Sequence, residues 1–340
     1  MSSTTEDYKK LMTEVRSGKF RPVYLLHGEE GFFMDRLAEE IESHVLQEHE
    51  RDFNQTILYG RDCDPDLVKD TCLRFPMMAE RQLVVVRELN AWRIDQVEKL
   101  EPYLAKPTPT TVLVLIYKHK KVDGRKSILK TVQKGGGVVF CSEKLKDEKI
   151  PDLLVSFAKQ HGRKLGAAES QLLAQHLGSD LSKAVKEVEK LCLVTQEGAS
   201  ITSDIIQRYV GISKEHNVFA LQNAIGSRDA LKAQTIANYF ASDPKDNPLV
   251  VTLGFLNTYF TKLAMVHQLA GKSQPEMASA MKIAPFFVKD YVRDAQNYPL
   301  PKLAEIQKHL RQFDLRSKGL GGDGGDQGEL LRELLAKVMG

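Results

Sequence analysis

Chemistry in this sequence is first suggested by Gly28. Val23-Tyr24-Leu25-Leu26 is a short apolar run, His27-Gly28-Glu29-Glu30-Gly31 is a turn, and Phe33, Leu37, Ile41 and Val45 then recur every four residues. A buried strand, a glycine turn and an amphipathic helix are the parts of a phosphate-binding loop. The residues that would do the binding are different. With Gly28 as the first glycine of G-x-x-x-x-G-K-[ST], the last three positions hold Phe33, Met34 and Asp35. A thioether stands where a lysine should meet the β- and γ-phosphates, and a carboxylate where a hydroxyl should hold Mg²⁺. Glu29 and Glu30 add negative charge at the helix N-terminus, where an anion would sit. The stretch has the frame of a nucleotide site that does not bind nucleotide, and no cofactor or metal is expected.

Other candidate chemistry is thin. Cys63, Cys72, Cys141 and Cys192 lack metal-ligand spacing and suit a reducing compartment, as small hydrophobic residues rather than a disulfide frame. None of the nine histidines forms H-E-x-x-H, and no serine lies in G-x-S-x-G. Gly319-Leu320-Gly321-Gly322-Asp323-Gly324 satisfies G-x-G-x-x-G but follows a helical pattern instead of a strand, so the dinucleotide reading fails. Gly321 to Asp326 fits one calcium β-helix repeat, which cannot stack alone, and a flexible loop accounts for it better. No catalytic constellation emerges.

Two stretches suggest binding. Phe75-Pro76-Met77-Met78 puts apolar residues at a proline break, where a connection is ordinarily polar and exposed. It is either a satellite core cluster folded under a sheet or a surface offered to a partner, for which flexible methionines are well suited. The run 118–126 holds Lys118, Lys120, Lys121, Arg125 and Lys126 against a single acid, Asp123. A solvated loop and a phosphate contact both fit it.

The elements that must position these residues follow from periodicity. The 340 residues, 42% of them hydrophobic, can bury ordinary cores in two or three domains, and 48 Lys and Arg against 45 Asp and Glu is too balanced to announce a nucleic-acid binder. A short helix carrying Tyr8, Leu11, Met12 and Val15 leads into the first strand. Residues 54–59 alternate as a strand would, and Asn54-Gln55-Thr56 is a glycosylation sequon without relevance inside a cytosolic strand. Asp64-Pro65-Asp66 starts a helix. Leu83 to Val86 is a strand, whose ending Arg87-Glu88 sits where an active ATPase places an Asp-Glu pair. Residues 92–104 suit a helix, 112–116 a fully apolar strand of a parallel sheet, and 138–141 a last strand. Strands alternating with helices over the first 140 or so residues argue for an α/β layered domain. From Pro151 onward the pattern is helical, with Gly178-Ser179-Asp180 as a capping turn and a small bundle ending near Gly211. Helical segments at 219–225, 230–240, 249–269, 275–281, 286–295 and 303–313 and a closing helix after residue 328 make a third, all-α region. The amino terminus has no cationic-then-apolar pattern and no stretch looks long enough to cross a membrane, so a cytoplasmic protein is expected.

This layout is similar to a clamp-loader subunit. Tyr24 to Glu30 with Phe32-Phe33, the stretch 75–87, the basic run after a strand, Gly178 to Leu181 leading to Glu187 and Lys190, and the late Lys318-Gly319 break resemble the delta-subunit family of bacterial DNA polymerase III clamp loaders. The resemblance spans nearly the whole chain and rests on order and context. It implies an AAA+-like parallel-sheet domain over 1–145 with a degenerate nucleotide site, a helical lid over 146–211 and a helical collar over 212–340. It further implies a DNA replication subunit that opens the sliding β clamp without hydrolysing ATP. Its partners would be the gamma/tau ATPase subunits and delta prime in a hetero-pentamer, and primed DNA through the complex. By position, Met77 and Met78, with Phe75 and Pro76 beside them, match the hydrophobic pair that this family places in a pocket on the clamp, although the family often has a leucine and an aromatic there. The rival readings are a working P-loop ATPase such as a helicase loader, against which the missing lysine and hydroxyl and Arg87 count, and the delta prime sibling. The sibling's zinc-binding cysteines and Ser-Arg-Cys arginine finger do not occur here.

Overall fold

The computed structural model describes residues 4–178, 180–213, 216–283, 285–320 and 326–340. The chain packs as two units, Met1–Lys146 and Asp147–Gly340.

The first unit is built on a five-stranded parallel sheet of β1 (Val23–Gly28), β2 (Gln55–Tyr59), β3 (Gln82–Arg87), β4 (Thr111–Lys118) and β5 (Val138–Ser142), in the order β2-β3-β4-β1-β5. Tyr24 of β1 lies between Val114 of β4 and Val138 of β5. All six residues of β1 and seven of eight in β4 are buried, so these strands read as continuous apolar runs, as strands covered on both faces must. Helices α1 (Thr4–Arg16), α2 (Gly31–His44), α3 (Arg51–Asn54), α4 (Pro65–Cys72), α5 (Ile94–Glu98), α6 (Glu101–Ala105) and α7 (Ser127–Lys134) flank the strands. Val68 and Cys72 of α4 and Ile128 and Val132 of α7 share one core with Val23, Leu25, Val84, Val86, Leu113 and Leu115. On the alternate positions, Tyr24, Leu26, Val85, Val114 and Ile116 are buried as well, and α2 packs against β1, β4 and β5.

The single helix expected over 92–104 is two short ones. Gln96 Oε1 caps the Arg93 amide to start α5, and Pro102, without an N–H, sits in the first turn of α6. Trp92 lies ahead of both, with its indole Nε1 donating to the Gly60 carbonyl at 2.6 Å. The Asp64 cap behaves as expected, its Oδ1 accepting from the Leu67 amide at 2.8 Å.

The second unit holds α8 (Ile150–Gln160), α9 (Ala167–Leu177), α10 (Leu181–Val194), α11 (Ser203–Val210), α12 (Val218–Gly226), α13 (Ala230–Ser242), α14 (Leu249–Gln268), α15 (Gln274–Met281), α16 (Val288–Ala295), α17 (Leu300–Ser317) and α18 (Gln327–Met339). It also has a feature that periodicity missed, a parallel pair of two-residue strands, Lys164–Leu165 with Ser200–Ile201. Two residues are too few to show alternation. Asp180 caps α10 through the Lys183 amide, while Ser179 of the expected capping turn lies outside the described residues, as do residues 321–325 of the glycine-rich loop. The segment expected as a helix from Phe286 starts as a 3-10 turn, Pro285–Phe287, before α16.

One core cluster joins α12 to α18. Contrary to the expectation that no stretch is long enough, α14 has the length and composition to cross a membrane, with 20 residues and a hydropathy of 1.4. Its Leu253, Leu256, Tyr259, Phe260 and Leu263 lie in this core, which accounts for the apolar composition. At the centre, Tyr259 donates to Asp294 Oδ2 at 2.9 Å, Arg293 Nε reaches Oδ1 at 2.9 Å, and Tyr298 donates to the Ile225 carbonyl at 2.7 Å. Gly226 closes against this network, since a Cβ there would lie 2.3 Å from Asp294 Oδ2 and 2.6 Å from the Tyr259 hydroxyl. Gly226→Ala is expected to lower stability by about 2–3 kcal/mol through overpacking. Urea unfolding checks this, and an unchanged midpoint would show that the network yields freely.

Candidate functional site

The turn after β1 is short and carries two carboxylates. Only Glu29 and Glu30 separate the end of β1 at Gly28 from the start of α2 at Gly31. Phe33 and Met34 are therefore already inside the helix, fully buried, and cannot line a loop. The amides that a cradle would offer are partly engaged: Gly28 N donates to the Lys120 carbonyl at 3.1 Å, Glu30 N to the Ser142 carbonyl at 3.2 Å, and Phe32 N to Glu30 Oε1 at 3.0 Å. Glu30 is the cap of α2, so a carboxylate holds the place where an anion would be drawn. Gly28 itself has φ of 137°, and a Cβ on it would lie 2.0 Å from the Ser142 carbonyl oxygen. Its glycine requirement comes from β5 passing close by, not from a ligand. Asp35, at the motif's hydroxyl position, pairs with Lys118 Nζ at 2.6 Å, and Arg87 pairs with Glu42 of α2 at 2.5 Å. These residues do not fit a magnesium-bound triphosphate. Among the described residues no three His, Cys, Asp or Glu side chains converge on a point that could hold a metal ion.

The basic run is largely neutralised by its surroundings. Lys118 pairs with Asp35, Lys121 with Glu143, Arg125 with Asp123 and Lys126 with Glu98, leaving Lys120 as the one of the five without a carboxylate partner among the described residues. Sequence reasoning could not have seen most of these acids, which come from distant elements. The run also folds back onto β1, where the Val122 amide donates to His27 Nδ1 at 3.1 Å. Burial first, and the Lys121 charge second, hold the His27 pKa down at about 4. The unfolded chain therefore takes up a proton near pH 6.5 that the folded chain refuses, and acidification from there toward pH 4 draws the protein toward unfolding.

Phe75, Pro76, Met77 and Met78 do not fold under the sheet. Phe75 is 84% exposed, Met77 61% exposed and Met78 fully exposed, and Pro76 is half-buried. Leu73, two residues before Phe75, and Phe53, next to Asn54 in the chain, neither singled out by the sequence, are exposed as well. The tip is nevertheless held. Asn54, buried at the end of α3 directly before β2, accepts from the Met77 amide at 2.6 Å through Oδ1 and donates through Nδ2 to the Met77 carbonyl at 3.0 Å and the Glu50 carbonyl at 2.9 Å. On the other side of the tip's base, Gln82 Nε2 donates to the Arg74 carbonyl at 2.6 Å and to Thr111 Oγ1 at 2.9 Å, and Thr111 donates to the Cys72 carbonyl. Arg81 stacks over Phe20 at 5.4 Å, tying down the exit. Met78 has φ of 54°, a left-handed conformation that costs a non-glycine residue about 1 kcal/mol. Interactions elsewhere hold the backbone in a strained turn that presents apolar side chains to water. Such an element carries no group that could do acid–base, nucleophilic or metal chemistry.

Residues 24–142 match the family model described as DNA polymerase III, delta subunit, and residues 215–335 match that of the DNA polymerase III delta subunit, C-terminal domain. The chain belongs to the DNA polymerase III delta subunit family. It is 27% identical over 314 residues to DNA polymerase III subunit delta of Bacillus subtilis, covering 89% of this chain and 90% of that one. The solved structure of the Bacillus subtilis DNA clamp loader delta protein superposes with a TM-score of 0.55 at 24% identity over 98% of this chain and 99% of that one, which shows the shared fold. The family's members are clamp-loader subunits, accessory to DNA polymerase III in DNA replication, and the expected architecture, a parallel-sheet domain followed by helices, is the one found.

Two outcomes follow from this geometry. Asn54→Ala is expected to cost about 1–3 kcal/mol, because it strips partners from buried polar groups, and to speed exchange of the Met77 amide well beyond the global change. An unaltered Met77 exchange rate would show that the tip does not depend on Asn54. His27→Asn is expected to remove roughly 2 kcal/mol of the stability that the protein loses between pH 7.5 and 5, read from urea unfolding at both pH values. Equal losses in both proteins would contradict the assignment.

Proposed function

We propose that this chain is the subunit that grips and opens the sliding β clamp, acting through the apolar tip of Phe75, Pro76, Met77 and Met78 and hydrolysing no ATP itself. The observation that carries this reading is that apolar side chains stand in water on a backbone held by Asn54 and Gln82. Preorganisation of this kind lowers the ordering cost of binding. Large exposed apolar residues on a rigid element are the usual mark of a partner site. Two methionines can fill a pocket that a leucine and an aromatic fill in relatives, because the thioether side chain adapts its shape.

The tip acts by differential affinity. A clamp whose ring interface is loosened offers its pocket in a form that accepts the tip, and only a preference of the tip for that form can shift the ring toward opening. The turn at Gly28, with its carboxylate cap and short loop, supports a scaffold role without a nucleotide of its own. In this reading residues 1–145 carry the clamp contact, 146–211 form the lid, and 212–340 form the collar that joins the gamma/tau ATPase subunits and delta prime in a hetero-pentamer, bringing primed DNA to the clamp. Contact of the run at Lys118, Lys120, Lys121, Arg125 and Lys126 with DNA is the weaker part of the proposal, since four of its five charges are already paired.

Met77→Ala with Met78→Ala tests the assignment. Burial of a methionine side chain is worth about 1.5–3 kcal/mol, so the double variant is expected to bind the organism's own clamp about 100-fold more weakly or worse. Its unfolding free energy should change by less than about 0.5 kcal/mol, because neither side chain is in a core. Clamp affinity equal to that of the unaltered protein would refute the assignment.

A further inference from the structure

The sheet of the first unit has two edges, and they are finished differently. At one, α1 packs beside β5, and no residue of that strand is exposed. At the other, β2 pairs with β3 on one side only; on its outer side the Gln55 amide donates to the Arg51 carbonyl and the Tyr59 carbonyl accepts from the Asp62 amide at 2.8 Å, while the groups between them have no strand to meet. Native edges are normally blunted by lysine, proline, a bulge, shortness or a covering element. Gln55-Thr56-Ile57-Leu58-Tyr59 contains no charge and no proline, and its five residues make a strand of ordinary length. Ile57 and Tyr59 are exposed on it.

We propose that this edge receives an extended, uncharged backbone segment of the same ring protein that the tip grips, as an added parallel or antiparallel strand. The inference rests on the reading of the tip as a clamp contact and adds to it a second, backbone-mediated one. An extended chain is the occupant because the outward groups left without a backbone partner, the Gln55 carbonyl, both groups of Ile57 and the Tyr59 amide, lie at strand spacing and are matched by another row of the same kind. It is uncharged because the exposed side chains of β2 offer no ionic partner. It belongs to the same protein because edge and tip are joined through one residue. Asn54 directly precedes β2, and its side chain holds the Met77 backbone, with exposed Phe53 next to it. A body seated on the tip therefore lies beside the N-terminal end of β2. The shape of this contact also gives it a function: side-chain burial at the tip supplies affinity, whereas a strand pairing sets orientation, which a ring-opening lever needs.

Hydrogen exchange of the full chain, free and with the organism's own sliding clamp, is the test, together with Ile57→Lys and Tyr59→Lys. In the complex, the Ile57 and Tyr59 amides should exchange at least about tenfold more slowly, and each lysine variant, with unchanged melting, should bind the clamp about tenfold more weakly. If the Met77 and Met78 double variant loses affinity while residues 55–59 exchange at the free rate and the lysine variants bind normally, the edge contact is overturned and the clamp reading stands. If the double variant also binds normally, both fall. The exchange measurement on the unaltered chain decides the point even if a lysine variant does not fold.

Discussion

The side-chain amide of Asn54 is the interaction on which the rest of this account depends. An amide presents one acceptor oxygen and two donor hydrogens. All three are used within the first unit, with both Met77 backbone groups and the Glu50 carbonyl. Without such a clamp, a loop carrying Phe75, Met77 and Met78 would collapse onto any apolar surface within reach, because burial is favourable and the loop is short. With it, the left-handed turn at Met78 becomes sustainable and the side chains remain in water. A protein gains nothing in stability from that arrangement.

The same unit shows a strand, turn and helix in the order of a phosphate-binding loop with other residues at its motif positions. In a working site, glycine and lysine positions leave amides and a positive charge facing outward for phosphate. Here those positions are Phe33 and Met34, which are part of the hydrophobic core, and the cap of α2 is Glu30. Asp35 and Lys118 join α2 to the end of β4, and Arg87 and Glu42 join β3 to α2. These ion pairs connect the sheet to α2.

Much of this was legible in the sequence, and the reasons are physical. Central parallel strands must be apolar on both faces, so Val23 to Leu26 and Val112 to Ile116 announced themselves, as did helix starts capped by Asp64 and Asp180. The break between α5 and α6 was hidden, because helical periodicity does not distinguish one helix from two in line. Residues 164–165 and 200–201 pair in strands too short to show a pattern. The fate of the Phe75 to Met78 cluster was undecidable from residue type, since a buried cluster and an exposed one have the same composition. What decides it is Asn54, 23 positions from Met77 and disguised as part of a sequon. Likewise the acids that neutralise the basic run, Asp35 and Glu98 among them, lie far away in sequence, and only the folded chain brings them to Lys118 and Lys126.

The most direct test of the central claim is the affinity of the isolated full-length chain for its own sliding clamp, measured by titration calorimetry with and without Mg²⁺ and ATP. The account predicts a saturable complex whose dissociation constant is the same in both conditions, together with no heat from ATP added to the chain alone. Clamp binding that appears only with Mg²⁺ and ATP, or stoichiometric capture of the nucleotide by the chain, would contradict it.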